Sequence, residues 1–230
     1  MSHIIKICGL REPEDALAAA EAGATHIGYN FAISRRRVDA AQARRCIEFT
    51  KASFPEVMAV GLFVDATLEE MLTVSGEAGV DVIQVHNQPN AALIAELGLQ
   101  VLPVTRTAPG ERVQSVIDYF NSVRSDQVGT LLLDAYHPTL AGGTGALADW
   151  EFAAQTAASV PVVLAGGLNP TNVGDAIRHV RPLGVDVSSG VERDGRKDAA
   201  LIRAFIEEAL AAFAELDQSM KTGASSQVVP

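Results

Sequence analysis

The sequence predicts an α/β protein, a single (β/α)8 (TIM) barrel, and three observations carry that prediction. A short apolar run, a turn and a helical stretch recur eight times along the chain of 230 residues. The apolar runs are continuous rather than alternating, as parallel strands are when both faces of their sheet are covered. The first strand–helix turn, "KICGLREPEDA", has no GxGxxG, which a doubly wound dinucleotide-binding sheet would carry there. An open doubly wound sheet is the runner-up, because periodicity alone does not show closure. Eight units in this length stand at the lean end of the barrel range of roughly 200 to 400 residues.

Taken in order, "HIIKIC" reads as the first strand and "EPEDALAAAEAG" as its helix. Pro13 falls in the first turn, Glu14 and Asp15 favour the positive end of the helix, and Gly23 stops it. "HIGYNF" pairs with "DAAQARRCIEFTKA", "VMAVGLFV" with "TLEEMLTVSGEAG", and "DVIQVH" with "PNAALIAELG". "LQVLPVT" pairs with "ERVQSVIDYFNSV", and "TLLLDA" with "DWEFAAQTA". "VPVVLAGG" leads to "NPTNVGDAIRHV", and "GVDVSS" to "KDAALIRAFIEEALAAFAEL". No linker divides the chain, so residues 1–216 read as one barrel. Residues 217–230, ending in "SMKTGASSQVVP", read as a disordered tail from their loop composition.

Hydrophobic residues make up 48% of the chain and charged residues 20%, enough for a large core. No apolar run approaches the ~20 residues of a membrane span. The start "MSHIIKICGL" lacks the features of a signal peptide. Cys8 and Cys46 form neither a metal spacing nor a disulfide framework. A reduced, cytoplasmic protein is the expectation, as a monomer or homodimer. The net charge of −10 argues against nucleic-acid or anionic-membrane partners, yet leaves room for a small anionic ligand held by local amides and an arginine.

In a barrel, chemistry belongs to the loops that follow the strands. Gly166 and Gly167 follow strand seven; Ser188, Ser189 and Gly190 follow strand eight. Glycines let backbone amides approach an anion, and a helix N-terminus adds favourable partial charge. Ordinary tight turns would look similar singly, but two adjacent ones at the position where barrels hold phosphate favour a phosphate cup. Asp134 ends a run of three leucines, and such a carboxylate needs partners or a wet mouth. By itself it reads equally well as a structural carboxylate bonded to loop amides. Cys8 alone reads as core, since free cysteine is among the most buried residues. Together they flank the cup, and a phosphorylated sugar anchored there would extend between thiol and carboxyl, an arrangement for acid–base work. Arg35, Arg36 and Arg37 read either as a solvated basic run or as a clamp for a substrate carboxylate. His86 reads as a satisfied barrel histidine rather than a catalyst, Cys46 as core, and Trp150 as packing at the start of the sixth helix.

With these residues in hand, the chain resembles the phosphoribosylanthranilate isomerase family of tryptophan biosynthesis. "KICGLREPEDALAAAEAGA", "LLLDA", "GGTG…DW", "PVVLAGGLNPTNV" and "GVDVSSGVERDGRKD" are similar to that family's motifs in the same order, from about Lys6 to about Ala214. The resemblance implies a cofactor-free Amadori rearrangement of N-(5-phosphoribosyl)anthranilate to 1-(2-carboxyphenylamino)-1-deoxyribulose 5-phosphate. It implies Asp134 as general acid and Cys8 as general base. It further implies Arg36 on the anthranilate carboxylate, and phosphate on the glycine and serine turns. A free thiol is a few per cent thiolate at neutral pH, which suits a C2 proton already acidified by a Schiff base. The sequence departs from the family pattern at several points. Asn30 replaces an apolar residue, the segment after Phe31 is one residue shorter, and Arg37 replaces a tyrosine. Asn87-Gln88-Pro89 replaces Gly-Asp-Glu, and Ala146-Leu147-Ala148 replaces Lys-Thr-Phe. Two competing readings are a relative acting on another sugar phosphate and a barrel that binds a phosphorylated ligand without turnover.

Overall fold

The computed structural model describes residues 3–107, 110–134 and 149–225. Strand and helix alternate through them. β1 (Ile4–Cys8) is followed by α1 (Pro13–Ala22), β2 (His26–Asn30) by α2 (Ala40–Lys51), and β3 (Met58–Phe63) by α3 (Leu68–Ala78). Then come β4 (Val82–Val85) with α4 (Ala91–Leu97), β5 (Gln100–Arg106) with α5 (Val113–Val123), and β6 (Leu131–Asp134) with α6 (Trp150–Ala157). β7 (Val162–Ala165) with α7 (Val173–Val180) and β8 (Gly184–Val187) with α8 (Ala199–Ser225) complete the set. The eight strands are parallel, pair in sequence order and close, with β1 bonded to both β2 and β8. Closure rules out the open sheet.

The continuous apolar strands are explained by two dry layers. Successive residues of a strand point to opposite faces. Ile5, Ile7, Ile27, Ile83, Leu131 and Leu133 face outward and pack with helix residues such as Met71, Phe120, Ile177 and Phe205. Val60, Val82, Leu102, Val104, Leu132 and Val163 face inward and fill the barrel. Ile4 packs on the inner cluster, so Lys6 and Cys8, at the same parity of β1, point inward as well. Lys6 and Cys8 thus bring polar side chains up the barrel interior to its C-terminal end, beneath the loops where chemistry is expected.

Helix starts are fixed locally. Asp39 accepts from the Gln42 N–H at 2.7 Å, and Thr67 and Glu70 form a reciprocal capping box. Asp149 accepts from the Phe152 N–H at 2.9 Å, so Trp150 opens α6 and packs against the outer core.

Three features differ from the sequence expectation. α7 starts at Val173 rather than near Asn169, because the Asn169 side chain accepts from the Thr171 N–H while Asn172 accepts from the Asn169 N–H, both at 2.8 Å. Side chains that bond their own backbone in this way favour a turn over a helix. After β8 the chain forms a 3₁₀ turn (Ser189–Val191) and a two-stranded ribbon of β9 (Glu192–Arg193) and β10 (Arg196–Lys197). Finally, α8 runs on to Ser225, so residues 217–225 are helical rather than a disordered tail. Once a helix is nucleated each further residue adds a hydrogen bond at little cost, and no proline intervenes before Pro230. The expectations for Gly142–Gly145, for Ala146-Leu147-Ala148 and for 226–230 lie outside the described residues. No helix among the described residues is long and apolar enough to cross a membrane.

Candidate active site at the C-terminal rim

Cys8 is a free thiol, 5% exposed, at the rim end of β1. Below it on the same inward face lies Lys6, 1% exposed, whose ammonium donates to Asp186 of β8 at 2.9 Å. The register that pairs Lys6 with Asp186 across β1 and β8 sets this contact. Burial works against the Lys6 charge, but the neighbouring Asp186 and Cys8 outweigh it and hold its pKa above the ordinary value. Gly28 of β2 makes room for both groups: a Cβ there would stand 3.1 Å from Lys6 Nζ and 3.2 Å from Cys8 Sγ. A side chain on Gly28 would crowd the thiol and the ammonium together.

Arg36 also comes to this rim, but its fork is already engaged. Nε donates to Glu192 Oε1 at 2.6 Å and Nη2 to Oε2 at 3.0 Å. Arg35 Nη2 reaches the same carboxylate at 2.9 Å, and Lys197 Nζ reaches it at 3.1 Å. Burial pushes Glu192 upward, but the Arg36 hydrogen bonds and the Lys197 charge prevail and hold its carboxyl at about 2. The basic triplet is thus split: Arg35 and Arg36 are tied to the ribbon after β8 and Arg37 is not among Glu192's partners. Arg36 Nη1 is the guanidinium nitrogen that Glu192 leaves unengaged.

The two small-residue turns are neighbours. Gly166 and Gly167 take φ of +101° and +68°, conformations that L side chains rarely adopt. Asn172 Nδ2 donates to the Gly167 carbonyl at 3.1 Å and fixes that peptide plane. Gly190 lies so close to the loop after β7 that an added Cβ would overlap the Leu168 carbonyl oxygen. Ser188 Oγ donates to the Cys8 carbonyl at 3.1 Å, and Lys197 Nζ donates to the Ser188 carbonyl at 2.8 Å. Ser189 opens the 3₁₀ turn. The loops after β1, β7 and β8 are thereby held as one surface.

Asp134 ends β6, beside Ala165 of β7, with Arg106 Nε at 3.2 Å from its Oδ2. Arg106 lines a rim cavity of about 270 Å³ together with His86, Asn87, Gln88 and Val104. His86, just past β4, faces this cavity. Burial first and the Arg106 charge second depress its pKa, so the ring is neutral at neutral pH. Asn87 and Gln88 have φ of +65° and +51°, which explains why a glycine suits the first of these positions in the family pattern. Among the described residues no group of three or more His, Cys, Asp or Glu side chains is placed to hold a metal ion.

Sequence reasoning gave no role to Lys6, Glu192, Lys197 or Arg106. Only Lys6 had a usable signal, since its parity on β1 matches that of Cys8.

A closed barrel whose polar groups gather at the C-terminal ends of its strands defines a (β/α)8-barrel enzyme. The model of the family described as N-(5'-phosphoribosyl)anthranilate (PRA) isomerase matches residues 5–208. A relative from Desulforamulus reducens, named N-(5'-phosphoribosyl)anthranilate isomerase, is 40% identical over 203 residues, covering 88% of this chain and 93% of its own. The crystal structure of phosphoribosyl anthranilate isomerase from Thermotoga maritima aligns with a TM-score of 0.77 at 31% identity, covering 91% of this chain and all of that one. A further phosphoribosyl anthranilate isomerase structure, in complex with reduced 1-(o-carboxyphenylamino)-1-deoxyribulose 5-phosphate, aligns with a TM-score of 0.72 at 30% identity, covering 91% of this chain and 100% of that one. The chain belongs to the N-(5'-phosphoribosyl)anthranilate isomerase family, an aldose–ketose isomerase family.

Proposed function

We propose that this protein converts N-(5-phosphoribosyl)anthranilate to 1-(2-carboxyphenylamino)-1-deoxyribulose 5-phosphate in tryptophan biosynthesis. The observation that carries the reading is positional. A thiol ends β1 and a carboxyl ends β6, and the two adjoining small-residue turns after β7 and β8 lie between them. The substrate phosphate sits on the amides of Gly166, Gly167, Ser189 and Gly190 with the Ser188 turn beside them. Asp134 as its acid protonates the furanose ring oxygen, the C1–O bond breaks, and a Schiff base forms at C1. Cys8 as thiolate removes the C2 proton, and the electron pair moves into a C1–C2 double bond to give an enolamine. Loss of the C2 hydroxyl proton and protonation at C1 deliver the ketone. No cofactor enters these steps.

Arg36 meets the anthranilate carboxylate through Nη1, with Glu192 bracing the rest of its fork. Arg106 is an ion-pair partner of Asp134 before substrate binds. Because Arg106 is 70% exposed, their pair is screened by water, and a substrate closing over the rim displaces it at little cost. The protein acts in the cytoplasm on a small phosphorylated substrate, as a monomer or homodimer, with no nucleic-acid or membrane partner.

A second reading, another sugar phosphate as substrate, draws on the cavity beside Asn87 and Gln88, where the chain departs from the family pattern. Turnover decides. Freshly prepared N-(5-phosphoribosyl)anthranilate should lose its anthranilate fluorescence when the protein is added. A folded protein that leaves the fluorescence unchanged would remove the anthranilate assignment.

A further inference from the structure

Among the described residues the barrel interior is mostly apolar, with Gln84 on β4 and His26 on β2 as its neutral polar side chains, and it holds one ion pair, directly beneath the rim thiol. Lys6 and Asp186 occupy the same inner face as Val60, Val82, Leu132 and Val163. A buried ion pair is weak evidence for stability, because desolvating both ions costs several kcal/mol each and an apolar pair of the same volume packs as well. The pair therefore calls for another reason to be there. Its geometry supplies one. Asp186 Oδ1 takes one ammonium proton at 2.9 Å, leaving the others of that group available to a further partner. Nζ and the Cys8 sulfur lie against the same Gly28 backbone, each about one contact distance from the Cβ that glycine lacks. The thiol points into the barrel with its chain neighbour two residues back, so no loop motion separates them.

We propose that Lys6 is the positioning residue for Cys8: its buried ammonium stabilises the thiolate, and Asp186 holds that ammonium in place. The proposal deepens the assignment of Cys8 as base and rests on it for its catalytic meaning, though not for its physical content. A thiolate in a nearly dry barrel needs a counter-charge, and an ammonium anchored by a carboxylate one layer below is fixed before substrate arrives. Asp186 also tempers the effect. A lone buried cation would over-stabilise the thiolate and weaken it as a base, because nucleophilicity and basicity fall together with proton affinity. The other titratable or charged groups around the pair are His26 on β2, His86 on β4, Asp134 on β6 and Lys197 on β10. His26 is held near 4 by burial and by Lys6, so it is neutral at neutral pH and above. Lys197 feels Glu192 and Cys8 but is bonded to Glu192 and the Ser188 carbonyl instead.

The test is the pH titration of the ultraviolet thiolate band, taken as the difference between each protein and the same protein carrying Cys8→Ala. Lys6→Met should move the midpoint at least one pH unit higher. Because that variant strands Asp186, Lys6→Met/Asp186→Leu is measured beside it and should move the same way. Asp186→Asn, which leaves the ammonium without its carboxylate, should move the midpoint lower. A merely structural role changes melting temperatures and leaves all midpoints together; that result, or a shift of Asp186→Asn in the same direction as Lys6→Met, overturns the proposal. The base assignment is judged separately by turnover of Cys8→Ala. Opposed midpoint shifts with full activity in Cys8→Ala would keep the ion-pair role and reject the base.

Discussion

Replacing Glu192 by glutamine removes one charge from the point where the ribbon after β8 meets Arg35, Arg36 and Lys197. The side chain keeps its volume, so the effect is electrostatic. In the folded protein the carboxyl is held at about 2, because the Arg36 and Lys197 contacts outweigh the upward push of burial. The gap from the ordinary 4.5 corresponds to about 3 kcal/mol. The sign follows from linkage. A depressed acid stabilises the fold fully above its unfolded value and loses that contribution as pH falls through its folded value. Glu192→Gln should therefore be less stable than the wild type by about 3 kcal/mol at neutral pH, and the difference should shrink between about pH 4.5 and about pH 2. Urea unfolding followed by circular dichroism at several pH values measures it. KM should rise as well, because Arg36 loses its brace, with a smaller change in kcat. A stability difference that stays constant across the acid range would refute the assignment of Glu192 as the charged hub.

Three further outcomes are expected. Gly190→Ala must push the loops after β7 and β8 apart, since its Cβ would overlap the Leu168 carbonyl oxygen; KM should rise by roughly ten-fold, about 1.4 kcal/mol, with kcat little changed. Steady-state kinetics and inorganic phosphate inhibition would show whether the phosphate contact is what was lost. Tyr29 is fully buried and its hydroxyl has no partner among the described residues, so Tyr29→Phe should raise stability by about 1 kcal/mol in chemical denaturation. Burial and Lys6 hold His26 at about 4, so protons bind the unfolded chain first, and wild-type stability should fall as pH drops from about 6.5 to about 4. His26→Asn should flatten that acid limb, which thermal melts across the range would record.

The barrel is legible because its causes are local. Continuous apolar runs mark strands with two dry faces, and Gly23, Asp39 and the Thr67–Glu70 pair mark helix ends. The placement of Cys8, Asp134 and the two glycine-containing turns at the C-terminal rim is also legible, since it follows from where each strand ends. The Arg36–Glu192 contact is not, because it joins residues 156 apart and depends on how two loops lie over the rim. Lys6 shares the parity of Cys8, yet it is easily passed over for another reason. A lysine in "HIIKIC" looks like a solvated edge until closure turns that face inward. The β9–β10 ribbon carries its own signal in Asp194-Gly195, with φ of +52° and +75°, the residues a tight hairpin turn asks for. The extent of α8 is invisible to composition, because small and polar residues extend an established helix as readily as they form a loop.

The central claim, that Cys8 and Asp134 act as a base and acid on a phosphate-anchored sugar, is met most directly by one comparison. kcat/KM for N-(5-phosphoribosyl)anthranilate is measured for the wild type, Cys8→Ala and Asp134→Ala, with product affinity determined for each by calorimetry. Each substitution should lower kcat/KM by at least roughly 100-fold, the contribution of one general acid or base, while product binds about as tightly as before. Either variant turning over within a few-fold of the wild type would contradict the acid–base pair.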